Sequence, residues 1–186
     1  MSAHRRVLVI GGGLAGPEAA LTAARRGCEV ELYEMRTVVE GQLRSTPAHR
    51  TTDFAELVCS NSLKSESENT APWLLKQEMR RAGSALLACA DSSAVPAGHA
   101  LAVDRVSFSR LVTEAIAEES RITVRREEIK ALDPEILTII ATGPLTSAAL
   151  CSEIARRSDS STLFASLRSA SSEKYVMAPA TRKPAT

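Results

Sequence analysis

RRVLVIGGGLAGPEAALTAARRGCEVELYE, residues Arg5 to Glu34, is the stretch whose reading decides the fold of this chain. It opens with Val7-Leu8-Val9-Ile10, a continuous apolar run of the kind that fills a parallel strand covered on both faces. Glycines follow at once, spaced Gly11-x-Gly13-x-x-Gly16. The spacing suits a turn that meets a dinucleotide. Gly11 permits the tight turn, Gly13 lets the backbone approach a pyrophosphate, and Gly16 lets a helix pack close to the strand. Pro17 fits the first helical turn, where its missing N–H costs little. Ala19 to Ala24 supply helix formers, and Gly27 is a stop. A second strand, Cys28 to Tyr33, ends at Glu34, where an acid accepts hydrogen bonds from a ribose. The acid suits an unphosphorylated ribose, as in FAD or NAD, and this stretch does not choose between them. A glycine turn with no ligand is the alternative reading. Strand, glycines, helix, second strand and acid occurring in that order favour the ligand.

With 186 residues, 44% hydrophobic and 24% charged, the chain has the composition of one ordinary soluble domain. A net charge of +1 gives no global drive towards nucleic acid or a membrane, while leaving local basic patches open. No run reaches the length of a transmembrane helix, and the N-terminus leads into a strand with no signal peptide ahead of it. Cys28, Cys59, Cys89 and Cys151 form no CxxC pair for zinc or redox exchange, so free thiols in a cytoplasmic protein are expected.

Beyond Glu34, Gly41, Ser45 and Pro47 exclude a long regular element between Thr37 and Thr52. Phe54 to Cys59 is a short apolar segment, followed by Ser60-Asn61-Ser62, a polar turn or a helix cap. Cys59 is therefore either a thiol exposed to a helix N-terminus or a small core residue. Trp73 to Cys89 predicts a single helix, with Leu74, Leu75, Met79, Ala82, Leu86 and Leu87 inward and Lys76 to Glu78, Arg80 and Arg81 outward. Val95 to His99 reads as a loop, Ala100 to Val103 as a strand, Phe108 to Glu119 as a helix and Ile122 to Val124 as a strand. His99 has no partner histidine at metal spacing, and no metal site is expected. Leu137 to Ala141 predicts another buried strand, ended by Thr142-Gly143-Pro144; small residues there let a ligand approach the carboxyl end of a parallel sheet. Serine-rich Ser158 to Ser172 and the proline-containing end, Met177 to Thr186, predict a poorly ordered tail.

Several blocks resemble one family, the folate- and FAD-dependent tRNA (uracil-5-)-methyltransferases. They are Gly11-Gly-Gly-Leu-Ala-Gly16, Tyr33-Glu-Met-Arg36, Thr46-Pro-Ala-His49, Phe54-Ala-Glu-Leu-Val-Cys-Ser-Asn-Ser-Leu63, Leu74-Leu-Lys76, Val95-Pro-Ala-Gly98, Ala100-Leu-Ala-Val-Asp-Arg105 and Ala141-Thr-Gly-Pro-Leu-Thr146. The block that ends at Leu63 is the most particular. The resemblance covers Arg5 to Ile154 and implies an α/β fold, a Rossmann-like FAD-binding domain of glutathione-reductase type. It also implies reduction of FAD by NAD(P)H, 5,10-methylenetetrahydrofolate as carbon donor, and C5 of a uracil in the tRNA T loop as acceptor. Carried onto this sequence, it implies cofactor contacts at Gly11, Gly12, Gly13, Leu14, Ala15, Gly16, Glu34, Arg36, Thr142 and Gly143. It makes Cys59 the candidate catalytic thiol: a thiolate added to C6 of uracil makes C5 nucleophilic.

A few extra residues stand between Arg36 and Thr46, and the resemblance fades after Arg157, where Ser158-Asp-Ser-Ser begins an unfamiliar tail. The family's chain is about twice as long or more. The expectation is therefore a portion comprising residues 1–157 and a divergent tail, 158–186, as a frameshift or early stop would produce. The remainder of the flavin domain, a second functional cysteine and an insertion domain for folate and tRNA would be lacking. Two other readings stand beside this one: a noncatalytic FAD- or dinucleotide-binding fragment, and a flavoprotein of the tRNA wobble-uridine-modifying kind. The Cys59 block argues against the latter.

Overall fold

The computed structural model describes residues 6–157; the expected tail, 158–186, lies outside the described residues. The chain divides into two compact units, whose described parts are residues 6–129 with 133–142, and residues 130–132 with 143–157.

In the first unit, strand β1 (Arg6–Ile10) leads through the glycines into helix α1 (Ala15–Arg25) and back into strand β2 (Glu29–Tyr33). β1 and β2 pair in parallel with Val9 opposite Leu32, as a strand–helix–strand crossover requires. Val7 to Ile10 are all buried, matching the continuous apolar run. Ala20, Leu21 and Ala24 form the buried face of α1; two of the three are alanines, so the helix lies close to the sheet. Gly27, at φ +84°, ends it.

A hairpin follows, β3 (Thr37–Val39) and β4 (Gln42–Arg44), where the sequence predicts an irregular stretch. Its two turn residues, Glu40 and Gly41, both take positive φ, the geometry that matches strand twist in a two-residue hairpin. A three-stranded antiparallel sheet then forms from β5 (Ser62–Ser65), β6 (Ala94–Val95) and β7 (Ala100–Val103), in the order β5-β7-β6.

The single helix predicted over Trp73 to Cys89 is two: α2 (Ala71–Arg81) and α3 (Ala85–Ser92). Gly83 breaks it at φ +79°, and Ser84 caps α3 by accepting from the Leu87 amide at 3.2 Å. Glu18 of α1 reaches the same helix start, accepting from Ser84 Oγ at 2.7 Å and the Leu86 amide at 2.9 Å. A carboxylate at the positive end of α3 fixes the break and ties α1 to it. The predicted faces of α2 hold at Met79, which packs against the core, and at Glu78 and Arg81, which are exposed, but fail at its start. Leu74 and Leu75 are more than half exposed, whereas Lys76 is buried. Its ammonium donates to the carbonyls of Leu63 (3.0 Å) and Ser65 (2.7 Å), beside an irregularity in the β5–β7 ladder. Carbonyls left over by an irregular ladder need donors, and a lysine supplies them.

Helix α4 (Arg105–Glu118) starts three residues before its predicted position because Asp104 caps it, accepting from the Ser107 amide at 2.7 Å. Phe108, Val112 and Ile116 face the core. Strands β8 (Ile122–Arg125) and β9 (Leu137–Ile140) complete a parallel sheet of order β8-β2-β1-β9. β9 was predicted buried; Leu137, Ile139 and Ile140 are exposed, since among the described strands β9 pairs with β1 alone and forms the sheet edge.

In the second unit, a short 3₁₀ turn (Gly143–Leu145) precedes helix α5 (Ala148–Arg157). Glu153 holds it together, accepting from the Leu132 amide and from Arg156 and Arg157. Those arginines hold its carboxyl far down, at about 2.

Candidate dinucleotide site

The carboxyl ends of β1 and β2 carry the turn and the acid that the sequence singles out. Gly11 donates its N–H to the Tyr33 carbonyl at 2.8 Å, which stitches the start of the turn to the end of β2. At φ +114° it takes a conformation that side chains avoid, and a Cβ there would meet the Ala141 carbonyl oxygen at 2.5 Å. Close approach governs the next two positions. A Cβ on Gly12 would collide with the Glu34 carboxylate, and one on Gly16 with the Gly11 carbonyl. Gly13 differs from these: the space in front of it is open. The turn is thus packed against protein on three sides and bare at Gly13. Leu14 opens α1 without any side-chain cap, so the first-turn amides are available to an anion.

Glu34 is buried, and its carboxylate is heavily engaged. Oε2 accepts from the Gly12 amide at 2.7 Å and from Arg36 Nη2 at 3.3 Å. Oε1 accepts from the Arg36 amide at 2.8 Å and lies 3.2 Å from Arg36 Nε. Three hydrogen bonds and one further ion-pair contact take up most of the acceptor capacity of the carboxylate. A ribose hydroxyl reaching Glu34 therefore has to share it with, or displace, the Arg36 guanidinium. Burial raises the Glu34 carboxyl, but the Arg36 side chain and amide, its charge and the Gly12 amide outweigh that and leave it below the ordinary value.

Arg36, only 2% exposed, extends the network to the next loop. It donates to the Gly12 carbonyl at 3.3 Å and to Glu56 at 3.1 Å. Glu56 in turn accepts from the amides of Arg50 and Thr51. Ala55, buried at φ +54°, donates its N–H to the Gly12 carbonyl at 2.9 Å. Both backbone groups of Gly12 are thereby engaged, and the loop holding Phe54 to Glu56 is fastened onto the glycine turn.

Sequence reasoning missed a further side chain, Arg126, which follows β8. Its guanidinium lies 4.3 Å from the centre of the Phe54 ring, within cation–π range. Its Nη1 is buried and has no hydrogen-bond partner among the described residues. Burial lowers its pKa; Glu34 and Asp53 oppose that, and Arg36 adds to it. In sequence, Arg125-Arg126-Glu127-Glu128 reads as a solvated charge run; the available signal was its place at the end of a strand neighbouring the one that ends at Glu34.

Of the other predicted residues, Thr142 ends the first unit, its Cα within reach of a Cβ built on Gly11. Gly143 belongs to the second unit, where its carbonyl accepts from Thr146 Oγ1 at 2.9 Å. Cys59 is exposed. No helix starts beside it: Ser62 begins strand β5, so of the two readings of Ser60 to Ser62, a polar turn or a helix cap, the helix cap is not the one formed. The segment is pinned at both ends, by Glu56 on one side and on the other by Asn61, which bonds to Val103 through its side chain (3.1 Å) and its carbonyl (2.9 Å).

The model of the family described as glucose inhibited division protein A matches residues 6–181, nearly the whole chain and past Arg157. The chain belongs to that family. It is 61% identical over 160 residues to the methylenetetrahydrofolate–tRNA-(uracil-5-)-methyltransferase TrmFO of Koribacter versatilis, a match covering 86% of this chain and 35% of the relative. To the TrmFO of Solibacter usitatus it is 57% identical over 156 residues, covering 84% and 34%. The chain thus spans about a third of the length of these relatives. Among solved structures it resembles GidA of Aquifex aeolicus, with a TM-score of 0.54 at 18% identity over 70% of this chain and 20% of that one. This likeness establishes the fold: the glucose inhibited division protein A family member described here has the Rossmann-like architecture of FAD-binding proteins. No helix among its described residues is long and apolar enough to cross a membrane.

Proposed function

We propose that this chain is the FAD-binding portion of a folate-dependent tRNA (uracil-5-)-methyltransferase, with a flavin domain of glutathione-reductase type. The observation that carries the reading is the 61% identity to a TrmFO over 160 residues, beside a family match over residues 6–181 that contains the glycine turn, Glu34 and Cys59. The fit to FAD is supported by a turn open only at Gly13, by uncapped first-turn amides, and by an unpaired buried guanidinium nitrogen nearby. Gly11 to Gly16 would hold the pyrophosphate, Glu34 the ribose, and Thr142 would border the turn. FAD, once bound and reduced by NAD(P)H, supplies the hydride that completes a methyl group.

Cys59 would act at the uracil. Its thiolate adds to C6, the C5–C6 electron pair moves to C5, and C5 bonds to the methylene carbon of 5,10-methylenetetrahydrofolate as that carbon's bond to one folate nitrogen opens. Loss of the C5 proton then breaks the carbon's bond to the second folate nitrogen, releasing tetrahydrofolate and leaving an exocyclic methylene; hydride added there makes the methyl group as the thiolate leaves C6 and the ring is restored. Its exposed position, between two anchored residues, suits a macromolecular substrate such as the T loop. The site of action would be the cytoplasm, where the tRNA is. Residues 1–157 would form the flavin-domain portion, while the family match itself runs on to residue 181.

A second reading, a noncatalytic FAD binder, rests on the turn geometry alone, which suits a dinucleotide and calls for no reaction. The two separate in two steps. The purified chain is loaded with FAD, desalted, and its visible spectrum recorded. A flavin-retaining chain is then assayed for methyl transfer to a T-loop transcript, with Cys59→Ala as control. Retained flavin with Cys59-dependent transfer supports the methyltransferase; retained flavin without transfer supports the binder. A chain that cannot hold FAD overturns both.

A further inference from the structure

Arg126 is given no contact of its own in the assignments above, yet the half-buried side chain carries the one buried side-chain nitrogen among the described residues that lacks a hydrogen-bond partner. A buried guanidinium N–H without an acceptor is costly, and in a ligand site the acceptor comes with the ligand. The order of the parallel sheet says which part of a ligand that is. The strands run β9-β1-β2-β8, so the groups at their carboxyl ends stand in the same sequence: the glycine turn after β1, Glu34 after β2, Arg126 after β8. The Glu34 amide donates to the Arg125 carbonyl at 2.9 Å, which puts Arg126 one strand spacing, about 4.8 Å, beyond the acid. A dinucleotide with its pyrophosphate on the glycines and its ribose at Glu34 has its base as the next group along that line. Phe54 supports the arrangement. Its ring underlies the guanidinium and also limits the space at Gly12, so turn, ring and cation form one continuous wall.

We propose that Arg126 is the base-recognition residue of the dinucleotide site, its guanidinium held over Phe54 and donating to a ring nitrogen of the adenine. The proposal rests on the FAD-binding reading and names which nucleotide part this side chain reads. A planar, permanently charged donor braced by an aromatic ring binds a flat heterocycle better than a lysine would, because its N–H directions are fixed. The Arg36 cation nearby does not compete for the base, since it is already bound to Glu34, Glu56 and the Gly12 carbonyl.

The test is binding of ADP, and of its 1-deaza, 3-deaza and 7-deaza analogues, to the full 186-residue chain by equilibrium dialysis. Arg126→Gln and Arg126→Lys are measured alongside it. One deaza analogue is expected to bind wild type about ten- to a hundredfold more weakly than ADP, the size of a lost hydrogen bond to a charged group. Both variants should weaken ADP by a similar factor and no longer distinguish that analogue from ADP. Equal binding of all four ligands to wild type overturns the proposal, and so does unchanged ADP affinity in a folded variant. If a variant fails to fold, the wild-type analogue series decides alone. Failure of the underlying reading looks different: wild type would then bind neither ADP nor FAD, and the base assignment would fall with it.

Discussion

Glu34 and Gly12 stand 22 residues apart in sequence, yet the Gly12 amide donates to Glu34 Oε2 at 2.7 Å in a buried contact. Arg36 binds the same carboxylate and the Gly12 carbonyl, so acid, glycine and cation form one closed unit. Replacing Glu34 by Gln leaves the buried Arg36 with Glu56 as its remaining anion. A loss on the order of 3 kcal/mol in urea-unfolding stability is expected, together with loss of FAD retention. An unfolding midpoint equal to wild type would show that the pair contributes nothing.

Acid should weaken the fold. The carboxyls of Glu34 and Glu56 both lie below their ordinary value of 4.5 in the folded chain, despite burial that pushes each upward. The folded state therefore binds fewer protons than the unfolded state between the two values. The stability these groups contribute is complete above pH 4.5 and is lost as pH falls through their lowered folded values. Thermal melts at a series of pH values should show Tm falling below that point, and more gently in Glu34→Gln than in wild type.

Gly11→Ala should be among the most damaging single changes. Its backbone sits at φ +114°, and the added methyl meets the Ala141 carbonyl. Strain alone costs about 1–3 kcal/mol before the collision is counted. The expected result is a lower unfolding midpoint and no bound flavin; a variant that melts and binds like wild type would contradict the packing described.

Glu18→Ala removes the carboxylate that accepts from Ser84 and Leu86 at the start of α3. About 1–2 kcal/mol of stability should be lost, with FAD affinity little changed in the population that remains folded. Chemical denaturation followed by circular dichroism reads the first quantity, and dialysis the second.

Cys59→Ser is the counterpart. The residue is exposed, so stability should stay within about 0.5 kcal/mol of wild type and flavin retention should be unaffected. A large drop in either would mean that the thiol supports the fold, and would weaken its assignment to uracil chemistry.

The strand–turn–helix–strand at the N-terminus was legible because local pattern and tertiary role agree there: Val7 to Ile10 are apolar and buried, and Gly11 takes the backbone that its identity predicts. Legibility failed where a distant partner overrides the pattern. Lys76 belongs to the polar face by period, but carbonyls of β5 draw it inside and leave Leu74 and Leu75 in solvent. The break at Gly83 depends on Glu18, some 66 residues earlier, and no local period carries that information. Within the site, the glycines and Glu34 could be read from spacing. The filling of the Glu34 carboxylate by Arg36 could not, nor could the position of Arg126, because both follow from strand adjacency in space.

The grip of Ala55 and Arg36 on the Gly12 carbonyl bears on protein engineering. The nucleotide turn is not a detachable cassette: a chimaera that imports Arg6 to Tyr33 into another scaffold brings a glycine whose carbonyl has lost both of its partners. The smallest transplantable piece runs on through Glu56, and so brings the loop that leads to Cys59 along with it.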